Sequence, residues 1–143
     1  MTLPHAVLLD TDVFSAIFIT PERVARRQGH PLDEWKSAVE GRRIVISFQT
    51  RAEELAGARH AQWGEKRLAN LMAILDSTPT VPVDEDVIQA FATLTAEARR
   101  VGHGMWAKEH TSDRWIAACA IAKGLPILSG DGIFRDAPSV ECL

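Results

Sequence analysis

The sequence has no apolar run approaching the ~20 residues that a helix needs to cross a bilayer, which excludes a helical membrane protein. Its two cysteines, Cys119 and Cys142, are too few for a disulfide framework. Cys119, inside the apolar run WIAACAIA, reads as core. The opening MTLPHAVLLDTD lacks a basic stretch and soon reaches aspartates, so no signal peptide is expected. A reducing, cytoplasmic setting is the consequence. Internal repeats, low-complexity tracts and linkers rich in Pro, Gly or Ser are also missing. One domain over residues 1–143 is therefore expected. Five histidines, at positions 5, 30, 60, 103 and 110, show no ligand spacing, which leaves zinc without a site.

A basic excess is lacking too. The net charge is −3, whereas nucleic-acid binders are usually basic. Four carboxylates engaged by metal would leave a remainder of +1. The cations cluster at Arg23/Arg26/Arg27, Arg42/Arg43, Lys66/Arg67 and Arg99/Arg100, each of which reads most simply as a solvated helix end. Charge alone decides nothing about an RNA substrate.

With 46% apolar and 24% charged residues the composition is that of an ordinary globular chain. Short apolar runs alternate with longer helical stretches, the pattern of an α/β protein with a mainly parallel sheet. Residues 6–9 form a buried strand between Pro4 and the aspartates. Residues 13–18 look helical and Pro21 interrupts them; residues 31–40 are a second helical stretch. Residues 43–47 are a β-branched strand covered on both faces. Helices are expected over residues 50–58 and 62–76, a short strand at 80–83, and an amphipathic helix over 84–101. Residues 102–110, with two glycines and no periodicity, read as a loop. Thr111 or Ser112 caps the next helix, which stops at Gly124. Strands at 126–129 and 139–142 complete five.

Four acids fall on one edge of such a sheet. Asp10 directly follows the first strand, Glu53 lies in the first turn of the helix after the second, and Asp131 comes just after the fourth. Asp113 opens the helix that leads into the fourth strand. It shares a face with Ile116, Ala117 and Ala120, which turns it inward. Open parallel sheets bind ligands at the carboxyl ends of their strands. Carboxylates held close repel one another unless a cation neutralises them. Hard divalent ions, Mg²⁺ or Mn²⁺, suit an all-oxygen set. Such a site favours phosphodiester hydrolysis, with metal-bound water as nucleophile and a second ion roughly 4 Å away on the leaving oxygen. Taken singly, Asp113 is a helix-dipole acid, Asp131 a turn residue and Glu53 a surface acid with Glu54 an equal candidate. Only Asp10 is unusual alone.

These segments, LLDTDVFSAIF, ISFQTRAEELAGA, SDRWIAACAIAKGLPILSGD and IFRDAPSVECL, resemble PIN-domain nucleases, in particular the VapC-like toxins of bacterial toxin–antitoxin pairs. The resemblance covers nearly the whole chain, more weakly over residues 23–40 and 62–105. It implies that Asp10, Glu53, Asp113 and Asp131 are the metal-binding and catalytic acids, with Gly57-Ala58 selecting Glu53 over Glu54. Asp12 and Ser129 occupy positions that orient acids or water. It further implies a three-layer α/β/α fold with strand order 3-2-1-4-5, a homodimer, and RNA cleavage leaving a 5′-phosphate. A small cognate antitoxin would block the acidic groove.

Other readings compete. Asp10-Thr-Asp12-Val13 also fits the signature of haloacid-dehalogenase-like phosphatases, with Asp10 as nucleophile and Asp12 as acid/base. Against it, residues 13–18 look helical at once, no lysine precedes the fourth strand in the right place, and Glu53 and Asp113 have no work. A non-catalytic module that holds RNA or a partner would not need four acids. A receiver domain would need an acid closing the third strand. His103, His110 and Trp106 flank Asp113 from the loop, where a role near RNA and a bland surface role both stand. Arg114 reads as an exposed helix-start residue or a phosphate contact. Trp35, Trp63 and Trp115 read as helix packing.

Overall fold

A computed structural model describes residues 5–21 and 31–143. The Arg23/Arg26/Arg27 cluster, His30 and Pro4 lie outside the described residues. Strand β1 (Ala6–Leu9) is buried along its whole length. It pairs in parallel with β2 (Arg43–Ser47) on one side and β4 (Ile127–Leu128) on the other, and β2 pairs with β3 (Thr80–Val81), giving the order β3-β2-β1-β4. Among the described residues we number the helices α1 (Thr11–Phe14), α2 (Leu32–Val39), α3 (Phe48–His60), α4 (Glu65–Asp76), α5 (Glu85–Val101) and α6 (Thr111–Lys123).

Successive strand side chains point to opposite faces, and β1 divides accordingly. Leu8 joins a core with Val87 and Leu94 of α5 and Ile116 and Ala120 of α6. Val7 and Leu9 join a second core with Phe14, Trp35 of α2, Ala58 of α3 and Leu71 and Leu75 of α4. This is the three-layer α/β/α arrangement. It covers both faces of the central strands, which is why they read as unbroken apolar runs. Cys119 belongs to the first core, and burial pushes its thiol up to about 12.

Several boundaries differ from expectation for local reasons. The expected fifth strand is a single bridge from Cys142 to Ile127, with Ile127 N–H donating to Glu141 O at 2.8 Å. Pro138 offers no N–H, and Ser139 sits in the left-handed region at φ 63°, so the chain reaches β4 only after this turn. Among the described residues the sheet therefore has four strands. Strand β3 stops at Val81 because Pro82 cannot donate to a ladder. Helix α3 starts at Phe48, with Ser47 Oγ accepting from Thr50 N–H at 3.0 Å. Glu53 thus lies in the second turn, not the first. After α1 the backbone winds on as a π turn (Ser15–Ile19), which hydrophobic periodicity does not distinguish from an α turn.

The loop of residues 102–110 carries two 3₁₀ turns, Gly104–Trp106 and Lys108–His110, pinned by Arg114. Arg114 is buried. Its Nη1 donates to Met105 O and Ala107 O, both at 2.7 Å, and its guanidinium lies over Phe91. Its Nη2 donates to Thr111 Oγ1 at 3.3 Å, and its buried Nε has no hydrogen-bond partner among the described residues. The exposed reading does not hold, and the Nη donors are turned to the loop, away from any phosphate. Neither Thr111 nor Ser112 caps α6; His110 occupies that position and Thr111 is already helical.

Candidate active site at the sheet edge

Strand β1 ends where Asp10 N–H donates to Leu128 O at 3.0 Å, so the Asp10 side chain emerges at the carboxyl edge between β1 and β4. It remains 7% exposed. Oδ1 accepts from Thr11 N–H at 2.8 Å and Oδ2 from the Ser129 hydroxyl at 2.6 Å. Burial pushes its carboxyl up to about 7; the nearby Asp12 charge adds to the rise and the Ser129 hydrogen bond opposes it. A carboxyl so placed gains from a cation that would replace the lost water.

Ser129 also accepts the Asp131 N–H at 2.9 Å, tying the loop after β4 to Asp10. Asp131 is exposed, and its Oδ1 accepts from Ile133 N–H at 3.0 Å, capping the 3₁₀ turn Gly132–Phe134. Asp12 braces the same loop from α1: its Oδ2 accepts the Gly130 N–H at 3.0 Å and its Oδ1 the Val13 N–H at 2.8 Å.

On the other side a row of hydroxyls leads to Glu53. Thr11 Oγ1 donates to Glu53 Oε2 at 2.6 Å, which leaves Thr50 to donate to Thr11 at 2.9 Å and Ser47 to donate to Thr50 at 3.3 Å. Each hydroxyl gives one hydrogen and receives one, so the row has a direction, and it ends on a carboxylate. Glu54, the neighbour that spacing could not separate from Glu53, points elsewhere. It is buried and accepts from the Ser15 hydroxyl of the π turn. Burial raises its carboxyl above the usual carboxylate range, the Glu53 charge adds to this, and Ser15 offsets part of it.

Asp113, half-buried in the first turn of α6, is held by His110 Nδ1 at 2.9 Å from its Oδ2. Three of the four expected acids thus share one run of hydrogen bonds, Asp131–Ser129–Asp10–Thr11–Glu53, while Asp113 is fixed separately from the α6 side. Among the described residues, no three His, Cys, Asp or Glu side chains stand close enough to form a ready-made cation cage. The donor set is nonetheless all oxygen, which matches a hard divalent ion in kind. Sequence reasoning missed the hydroxyl row, the Ser15–Glu54 pair and the His110 contact. Thr50, three residues before Glu53, and His110, three residues before Asp113, are the local signals.

Residues 7–140 match the family model of the PIN domain. The chain belongs to the PIN-domain family. This PIN domain is 32% identical to ribonuclease VapC5 of Mycobacterium tuberculosis strain ATCC 25618 / H37Rv over 99% of this chain and 97% of that protein. Its fold superposes on a crystal structure of VapBC-5, a member of the VapBC family of toxin–antitoxin systems from the same species. There the TM-score is 0.63 and the identity 28%, over 98% of each chain. A structure of VapBC2 from Rickettsia felis bound to a promoter DNA fragment shares the fold at TM-score 0.73 and 16% identity, over 96% of this chain and 97% of that one. The phosphatase reading finds no support. In this PIN domain helix α1 and the π turn follow β1 without the hairpin that reading needs, and both oxygens of Asp12 are engaged by backbone N–H groups. No helix among the described residues is long and apolar enough to cross a membrane.

Proposed function

We infer that this chain is a PIN-domain endoribonuclease, the toxin of a VapBC-like toxin–antitoxin pair. The observation that carries the reading is the hydrogen-bonded run linking Asp131, Asp10 and Glu53 along the carboxyl edge of the sheet. An RNA phosphate laid on that edge would meet carboxylates from three separate elements, with Asp113 approaching from α6.

We propose Mg²⁺ or Mn²⁺ as the cofactor, held by Asp10 and Asp131 with Glu53 and Asp113 completing the shell. When bound, such an ion would lower the pKa of its water and offset the charge of the phosphate. The protein's own part is positioning. Asp10 is locked by Ser129 and Thr11, and Glu53 by the hydroxyl row. Asp131 is placed by the loop that Asp12 braces, and Asp113 is aimed by His110. Total RNA incubated with Mn²⁺ or Mg²⁺ is expected to give discrete fragments that disappear with EDTA and with Asp113→Asn. A generic phosphomonoester should stay intact. Phosphomonoester turnover that survives Asp113→Asn, with RNA uncut, would overturn the nuclease reading.

The partners we propose are RNA as substrate, a second copy in a homodimer, and a small antitoxin that covers the acidic edge, all in the cytoplasm. The support is the resemblance to proteins solved as toxin–antitoxin pairs. Expression in a bacterial host is expected to arrest growth unless a cognate antitoxin is supplied. Harmless accumulation of cleavage-competent protein would remove the toxin assignment and leave the nuclease in place.

A further inference from the structure

A cavity of about 510 Å³ opens beside Glu53, and its far wall has no part in the cleavage site. The near end carries Thr11, Ser15, Glu53 and Glu54; the far end carries Trp63 and Arg67. The floor between them is the small-residue face of α3. A side chain added at Gly57 would meet nothing within 4 Å, so this face is open. From Glu53 to Ala61, another lining residue, is two turns of helix, roughly 12 Å.

Trp63 is fixed by backbone and core. Gln62 takes a left-handed φ of 56°, which folds the chain back so that Trp63 N–H donates to Ala58 O at 3.1 Å. One side of the half-buried ring packs against the core on the α2/α4 face of the sheet. Arg67, exposed in the first turn of α4, places its guanidinium 3.7 Å from the ring centroid. Beyond the pair lies a second cavity of about 340 Å³, which Trp63 and Arg67 also line together with Asn70. The pair therefore stands between two openings, and helix packing alone does not account for an arginine held there.

We propose that Trp63 and Arg67 form a nucleotide-binding platform for the RNA strand next to the bond being cut, an inference that rests on the ribonuclease reading. The near end of the cavity is acidic and repels a polyanion. A cation at the far end supplies a phosphate anchor that the acids cannot. The planar guanidinium–indole stack offers a face on which a base of any identity can rest. Two helical turns separate Glu53 from Ala61, two residues before Trp63, which sets the platform at a neighbouring nucleotide and away from the scissile phosphate. Thr20 also lines the cavity.

The test uses the full chain carrying Asp10→Asn as a non-cleaving parent and a fluorescein-labelled, single-stranded RNA of mixed sequence, read by anisotropy across a salt series. Trp63→Ala should weaken binding about fivefold or more, with Trp63→Phe restoring most of it. Arg67→Ala should weaken it similarly and flatten the log–log salt slope by about 0.7. Lys66→Ala, in the same helical turn but outside the cavity, should change neither affinity nor slope by as much. Thermal melts identify any unfolded variant; Arg67 is exposed, so its variant carries the test if Trp63→Ala does not fold. RNA affinity and slope equal to the parent's in the Arg67→Ala and folded Trp63 variants would overturn the platform while cleavage by the wild type stands. Loss of affinity for a protein partner with RNA binding intact would assign the pair to protein docking, and overturn it too. Failure of the wild type to cut RNA and of the parent to bind it would bring down both readings together.

Discussion

Asp10→Asn is expected to abolish RNA cleavage and, in EDTA at pH 8, to raise the melting temperature of the protein by about 5 °C. The two effects have one origin. Asp10 is 7% exposed, and burial pushes its carboxyl from 3.8 to about 7. The folded protein therefore binds this proton more tightly than the unfolded chain does. Between about pH 4 and pH 7 the native state carries the extra proton, so stability falls as pH rises through that window and levels off above it. At pH 8 the metal-free protein bears the full cost of a buried charge. Asparagine removes the charge and keeps both partners, since its Oδ1 can accept from Thr11 N–H and its Nδ2 can donate to Ser129 Oγ. At 1.36 kcal/mol per pKa unit the ceiling is about 4 kcal/mol; imperfect hydrogen bonding brings the expected gain nearer 2. The gain should shrink towards zero near pH 4.5, where the wild-type carboxyl is largely neutral. Cleavage should fall by about three orders of magnitude or more, because electrostatic stabilisation worth several kcal/mol is lost at tenfold per 1.36. Circular-dichroism melts across that pH range check the first part and fragment analysis the second. A variant less stable than wild type at pH 8 would make Asp10 a structural carboxylate.

Gly130→Ala is expected to cost about 1–3 kcal/mol of stability and to slow cleavage about tenfold or more. A Cβ at position 130 would lie 2.7 Å from Asp12 Oδ2, and 2.8 Å and 3.3 Å from ring atoms of Trp35. Trp35 is buried in the second core, so its ring has nowhere to retreat. The backbone at Gly130 has no left-handed φ to protect, so the penalty is steric. Either Asp12 swings out and releases the Gly130 N–H, or the loop lifts and carries Asp131 away from Asp10. Both loosen the carboxylate geometry. Asp12→Ala in the same chain removes the nearer clash, and the double variant should lose less than the sum of the single losses. A Gly130→Ala protein with wild-type melting and cleavage would show that the loop relaxes without moving the acids.

Much of this architecture is visible along the chain. The run Ala6-Val7-Leu8-Leu9 ending on Asp10 announces a strand buried on both faces, with an acid delivered to its carboxyl end. Arg43-Ile-Val-Ile-Ser47 likewise announces β2, although only Ile46 and Ser47 are fully buried and its acid, Glu53, comes from the helix that follows. Gly102 and Gly124 terminate α5 and α6 in left-handed conformations, as their positions suggest. Such features depend on residues a few positions apart, and periodicity and turn chemistry record them directly.

Other features depend on residues that meet from far along the chain. Ser129 reaches Asp10 across 119 positions, and Gly130 reaches Asp12 across 118. Thr11 meets Glu53 across 42, and Ser15 meets Glu54 across 39. No local pattern encodes these pairs, so spacing could not separate Glu53 from Glu54, although the resemblance to PIN domains favours Glu53. The structure gives Glu53 to the hydroxyl row and Glu54 to the π turn. Arg114 looked like a solvated charge because nothing beside it in sequence reveals that the carbonyls of Met105 and Ala107 fold over it. Most elements, their order and the sheet edge that follows Asp10 are legible in the chain, because they follow from local periodicity and the alternation of strand and helix; the fifth strand, which is a single bridge, and the π turn are not. Tertiary structure alone decided which acids share hydrogen bonds, which charge is buried and where the cavity beside Glu53 runs, because these are set by which distant surfaces pack together.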